Sequence, residues 1–391
     1  MSKTSPAILN ERSNQLVILL LAGCLTTMTG SIVLPIFPEM RESLNLDRSW
    51  AGLLVSIHTL PSALSTLVLG LLADRIGKLK ILIPCLLLYA VVGVSTIFFT
   101  TMPWLLTSRA LLGVASGGIA AATIGILGNM FAGETRLRIL GYATGAMTIA
   151  AIIFPLLGGW IGATHWQYAF YPYVAGLPLA LVAALSLKEP TSDSTSLAGG
   201  QQQLGKILQN PEIIKLYLFI GVTGIIVYSV VVYTPPYLKE TIGADPILNG
   251  FILAIRLVGA AIASAFGASR VARRFGQKAA VAFGFSLMAM TLVLFPSLTD
   301  LALIIPTAIL FGVGFGMITP NLYDVLAEIA PAEVRTSVLA VGTGFNSVGQ
   351  FVSPVILGQI LKYAGLPMVF YAAAGLSMLA CLISLGQRNR V

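Results

Sequence analysis

Gly70-Leu71-Leu72-Ala73-Asp74-Arg75-Ile76-Gly77-Lys78-Leu79-Lys80 is echoed by Ser269-Arg270-Val271-Ala272-Arg273-Arg274-Phe275-Gly276-Gln277-Lys278, 199 residues on. Arg75 falls on Arg274 and Gly77 on Gly276. Working outward, the same offset puts Gly113 on Gly312, Gly117 on Gly316 and Glu134 on Glu333. Arg136 falls on Arg335, Gly145 on Gly344, Pro155 on Pro354 and Gly159 on Gly358. A single ungapped offset through glycines, prolines and charges marks a duplicated chain of two similar halves.

Both halves need lipid as solvent. The 391 residues are 57% apolar and 10% charged, with mean hydropathy +0.90. A soluble chain is about a quarter charged. Apolar segments lie near 15–37, 50–72, 79–99, 104–127, 137–160, 167–187, 213–236, 248–269, 279–297, 302–326, 337–361 and 367–386. Each is long enough to cross a hydrocarbon layer about 30 Å thick. The fold expected is all-α and integral to the membrane: twelve transmembrane helices in two six-helix pseudo-symmetric halves. The halves are residues 1–187 and 213–391, and 188–212, rich in Ser, Thr, Gly and Gln, is a cytoplasmic linker. The first apolar run is too long for a signal peptide and reads as a retained span.

The net charge of +8 is an insertion signal. With both termini in the cytoplasm, 17 of the 23 lysines and arginines fall on the cytoplasmic side. Arg41, Arg48, Lys239 and Lys362 fall opposite, and Arg109 and Arg256 lie within spans. This asymmetry sets the orientation and leaves no nucleic-acid surface. No phosphate-binding G-x-x-x-x-G-K-[ST] loop occurs, so ATP does not drive the protein. Cys24, Cys85 and Cys381 sit in apolar runs with neither disulfide nor metal spacing. No cofactor, metal centre or enzymatic constellation is expected. The short loops and the missing N-x-[ST] acceptor fit a monomer in a bacterial cytoplasmic (inner) membrane. Duplicated bundles of this kind move small molecules by alternating access.

The 70–80 segment resembles the signature loop of the major facilitator superfamily, G-x-x-x-D-R-x-G-R/K. Gly77 permits the sharp bend, and Asp74 suits a helix N-terminus or an arginine. The resemblance makes Gly70, Asp74, Arg75, Gly77 and Arg136 a conformational latch that joins the halves in the outward-open state, with Asp74 meeting the eleventh span near Thr336 and Arg136 or Arg138. The second copy has Arg273 in place of the aspartate, so the latch is one-sided. In the fifth span, Gly141, Ala150, Phe154-Pro155 and Gly158-Gly159 resemble the antiporter motif of drug exporters, with Ala150 and Phe154 replacing two glycines. Pro155, Gly158, Gly159 and, in the eleventh span, Pro354 are therefore candidate hinges. Val33-Leu34-Pro35-Ile36-Phe37-Pro38-Glu39 resembles the first-helix motif of the drug:proton antiporter branch. That branch often carries a carboxylate upstream, where this chain has Thr26, Thr27, Thr29 and Ser31.

Charges inside spans are the functional candidates. Asp324 is expected within the tenth span and is the first candidate proton carrier. His58 is the second, because imidazole as a class exchanges protons near neutral pH; Pro61 should bend the helix beside it. Arg109, before Gly113, Gly117 and Gly118, resembles the fourth-span arginine tied to proton coupling. Its plainer reading is a structural arginine bonding carbonyls of the first span. Arg256 falls on Ile57, next to His58, under the 199-residue shift and would clamp an anionic substrate. Tyr142, Met147, Tyr228, Tyr233, Tyr323, Phe345, Asn346 and Gln350 are candidate substrate contacts; Asn346 and Gln350 share a helix face.

The function expected is export of small amphipathic organic compounds, drugs or metabolites, by proton antiport. The alternatives are an organic-anion uniporter or exchanger using Arg256, and a lipid flippase or non-transporting membrane sensor.

Overall fold

The computed structural model describes residues 6–131, 133–189, 205, 207, 209–331 and 334–386; the linker expected over 188–212 lies mostly outside them. Every secondary-structure element among the described residues is helical. Ten helical runs are long and apolar enough to span: Asn14–Ser31, Trp50–Ile76, Leu79–Phe98, Met102–Met130, Gly133–Ile161, Trp166–Ser186, Pro211–Ile242, Pro246–Phe275, Gln277–Ser297 and Leu301–Ile329. An eleventh, Arg335–Gly386, is 52 residues long, too long for one crossing. It breaks at Gly365, whose φ of 80° is left-handed, and makes the eleventh and twelfth spans. Only glycine enters that region freely. Pro367, two residues on, starts the next helix without an N–H to satisfy.

Prolines also set the other interruptions. The first span ends at Ser31, short of the expected boundary, because Pro35 and Pro38 open a separate short helix, Phe37–Ser43. The second span breaks into Arg48–Ser56 and Thr59–Ile76. Pro61 has no N–H for the carbonyl of Ile57, so the ladder fails at Ile57-His58. The eighth span carries one π-helical turn, Ala263–Gly267, that the apolar pattern did not signal.

The side chains bury into two large clusters. Leu19, Tyr89, Phe170 and Tyr173 lie in one, built by the first, second, third, fourth and sixth spans, with Ile139 of the fifth. Tyr217, Phe285, Phe311 and Phe370 lie in the other, built by the seventh to twelfth. Leu34, Phe37, Ala51 and Val55 come from the first part of the chain yet pack in the second cluster. They join the two clusters at one end of the bundle. Leu64, Val68, Leu71, Phe283, Val293 and Leu382 are exposed, an apolar outer face that lipid covers.

Candidate functional site

His58 sits in the break of the second span and is buried. A Cβ on Gly30 would fall 2.8 Å from His58 Nε2 and 3.5 Å from the Tyr228 hydroxyl. The first, second and seventh spans therefore converge on the imidazole, and Arg109 lies within its electrostatic reach. Below it, an added Cβ on Gly113 would overlap the carbonyl oxygen of His58, and one on Gly312 the carbonyl oxygen of Arg256. The contact recurs one turn on, with Gly117 against Ser62 and Gly316 against Ala260. Span packing thus pairs Arg256 with His58 itself, where the sequence offset pointed to Ile57.

The two buried arginines are held differently. Arg109 is 3% exposed; its Nη1 donates to the Thr29 carbonyl at 3.4 Å and to the Tyr173 hydroxyl at 3.2 Å. Its guanidinium lies 4.9 Å above the Phe170 ring. Carbonyl bonding to the first span is the plainer reading of this arginine, and Tyr173 and Phe170 are partners that sequence reasoning missed. Arg256 is 6% exposed and borders a small cavity inside the second cluster, lined by residues of the seventh to tenth and twelfth spans.

The bundle is sealed at the end that carries Glu39–Arg48 and Lys239–Asp245. Lys239 pairs with Glu39 at 3.0 Å and with Glu42 at 2.7 Å, while Glu240 pairs with Arg41 and Arg48. Beneath these pairs Gly52 meets Val232, Tyr233 and Pro354. Thr59 donates to the Ser347 carbonyl at 3.1 Å, and an added Cβ on Gly159 or Gly250 would strike the carbonyl of Pro246 or Pro155. Toward the other, basic end, Gly141, Gly145 and Gly344 have nothing within 4 Å. Tyr142, Thr343 and Phe345 are exposed there. The state is therefore open at the basic end, and His58 is buried at the break in the second span. Exposed pairs each contribute about 0.2–1 kcal/mol. Glu240→Lys, which sets three like charges together, should shift the balance about tenfold toward opening of the sealed end. Spin labels at Ser43 and Thr241, in a background without the three cysteines, should report a longer separation; an unchanged distance would refute the role of these pairs.

Residues 19–255 and 217–390 match the profile of the Major Facilitator Superfamily, together covering almost the whole chain. The chain belongs to the major facilitator superfamily. It is similar to the bacillibactin exporter of Bacillus subtilis (strain 168), 22% identical over 372 residues and 92% of each chain. It is 23% identical over 376 residues, again 92% of each, to the quinolone resistance protein NorA of Staphylococcus aureus (strain COL). The fold matches a bacterial homologue of the human lysosomal transporter Spinster, in an inward-facing and occupied conformation, with TM-score 0.80 at 16% identity, over 98% of this chain and 95% of that one. The nucleoside transporter NupG matches with TM-score 0.82 at 13% identity, over 96% and 100%. The protein is a multi-pass membrane transporter and not an enzyme.

In this superfamily member the signature loop is held from an unforeseen side. Gly77 has φ 113°. Glu189, just past the sixth span, accepts from the backbone N–H of Lys78 at 2.5 Å and of Leu79 at 2.9 Å, capping the third span. Asp74 pairs with Lys78 at 3.0 Å. Arg136 packs beside Gly128, Arg138 donates to the Tyr142 hydroxyl at 2.9 Å, and Thr336 is exposed. The contact of Asp74 with Thr336 is expected in the outward-open state; in the present state, open at the basic end, Asp74 pairs with Lys78 instead. No sequence signal marked Glu189, because a lone acidic residue at the edge of a polar linker has no pattern.

Asp324 lies within the tenth membrane-capable run, Leu301–Ile329, as the apolar pattern expects; it is exposed and accepts from Gln277 Nε2 at 2.9 Å. The tenth helix runs on to Ile329, so Asp324 is near its polar end. The other candidates are spread widely. Met147 touches Gly23, and Tyr228 lies beside His58. Tyr323 is hydroxyl-bonded to Thr343 at 3.3 Å, and Phe345 stacks on Tyr217 at 4.9 Å. Gln350 donates to Asn346 at 2.6 Å, as their shared face implies. Tyr233 is packed at Gly52 in the sealed end, and Tyr142 is exposed at the open end. Pro155, Gly158, Gly159 and Pro354 all lie in close interhelical contacts on the sealed side.

Proposed function

We propose that this transporter exports small amphipathic organic compounds in exchange for protons. It alternates between the present state, open at the basic end, and one open at the opposite end. The two moving bodies are residues 1–187 and 213–391, joined by the 188–212 linker. The positive charge at the basic end assigns that end to the cytoplasm, and with it both termini. The observation that carries the reading is His58: a buried imidazole at the break of the second span, beside Tyr228 and within electrostatic reach of Arg109. A proton taken there adds a cation next to Arg109, and that repulsion links protonation to the arrangement of the spans. Met147, Tyr228, Tyr323, Phe345, Asn346 and Gln350 offer substrate an apolar wall with a few amides and hydroxyls. The similar relatives named as a bacillibactin exporter and a quinolone resistance protein support outward transport of organic molecules.

A second reading, organic-anion uniport or exchange, is favoured by one observation. Among the described residues the buried ionisable side chains of the spans include His58, Arg109 and Arg256 but no aspartate or glutamate. Arg256 then acts through the positive potential it contributes to the opening. Proteoliposomes holding a pH dye, offered cationic drugs and organic anions in turn, separate the two. Drug-driven proton movement is the expected result. Anion flux without a pH signal, lost in Arg256→Ala, would sink the antiport reading.

A further inference from the structure

Arg109 and Arg256 are both buried; Arg109 finds two acceptors through Nη1 and none through Nη2, whereas Arg256 has no acceptor among the described residues. The Nε and Nη1 of Arg256 are fully covered and have no hydrogen-bond partner among the described residues. Thr234, 2% exposed, has a hydroxyl in the same condition. Both side chains line one cavity of ≈ 20 Å³ inside the second cluster, with Thr291, Thr307, Phe295 and Phe311. Thr291 and Thr307 give their protons to carbonyls of their own helices, Leu287 or Met288 and Leu303. The donors left over are therefore those of Arg256 and Thr234, and they border a space for one small particle.

A buried guanidinium with neither carboxylate nor carbonyl carries an uncompensated charge. A water molecule would answer its hydrogen bonds and leave that charge in place. A monatomic anion answers both, and it needs donors only. We propose that the second helical cluster holds a chloride-class anion between Arg256 and Thr234, as a fixed counter-ion that ties the eighth span to the seventh, ninth and tenth. The cavity is too small for an organic substrate, so the proposal does not rest on the transport reading.

The test uses the purified full chain in detergent, with thermal unfolding followed in sodium chloride, sodium bromide and sodium gluconate at equal ionic strength. The midpoint should rise with halide and saturate, by about 5 °C at a hundredfold excess over the dissociation constant. Arg256→Gln should remove the halide dependence altogether, which a general salt effect would not allow. Thr234→Val should weaken it, and it keeps the test decisive if Arg256→Gln does not fold. Crystals grown in bromide should show an anomalous peak within hydrogen-bond distance of Arg256 Nε. Equal midpoints in chloride and gluconate, with no bromide peak, would overturn the proposal and make the occupant a neutral water.

Discussion

Replacing His58 with glutamine should abolish substrate-driven proton movement in proteoliposomes. Glutamine keeps a hydrogen-bonding end of similar reach but cannot take a proton. The expectation rests on elimination as well as placement. The chain has two histidines, and His165 is exposed. Among the described residues no aspartate or glutamate is buried. Asp324 is exposed and bonded to Gln277 at the basic end. That leaves His58 as the buried group whose class exchanges protons near neutral pH. Proton flux should fall by about two orders of magnitude, the usual scale for removing a group that moves a proton. Counterflow of labelled substrate should persist, because binding does not need the proton. Asp324→Asn should change proton flux less than about twofold, as an exposed polar pair contributes little. A proton signal that survives His58→Gln and disappears in Asp324→Asn would return the role to Asp324.

Alanine at Gly312 should destabilise the fold strongly. The new Cβ would overlap the carbonyl oxygen of Arg256 on the eighth span, and backbone cannot turn away as a side chain can. Overpacking of this kind costs about 3 kcal/mol. Gly113→Ala, against the carbonyl of His58, should behave alike. Gly344→Ala is the contrast: nothing lies within 4 Å, and the residue is helical. There the added methyl should stabilise by about 0.5–1 kcal/mol through lost chain entropy. Thermal unfolding of the three purified variants checks the order. A Gly312 variant as stable as the Gly344 variant would refute the close approach of the eighth and tenth spans.

The spans and their interruptions were legible because their causes are local. A run of about twenty apolar residues excludes itself from water whatever its neighbours do. Pro61 denies the carbonyl of Ile57 its partner, and the second span breaks there, at His58. The expected gap between the last two segments is where Gly365 turns left-handed. Arg109 was legible as a buried charge, since a lone arginine in a span must find acceptors. Its partners were not, because Thr29, Phe170 and Tyr173 are distant in sequence and carry no mark of convergence.

Other residues depended on depth and on pairing, which sequence does not encode residue by residue. Asp324 and His58 both stand in apolar segments, yet one is exposed at a helix end and the other buried at a break. Glu39, Glu42, Lys239 and Glu240 read as ordinary flanking charges; only the meeting of helices nearly 200 residues apart made them the seal of one end. The repeat offset put Arg256 opposite Ile57, whereas the packing of Gly312 puts it opposite His58. By itself the sequence determined an all-helical membrane chain, its breaks and its superfamily, because apolar length, proline and glycine act within a turn or two of backbone. The tertiary structure alone decided which end is closed, which guanidinium is left without an acceptor and which titratable group is buried, because those follow from the contacts each side chain meets across the bundle.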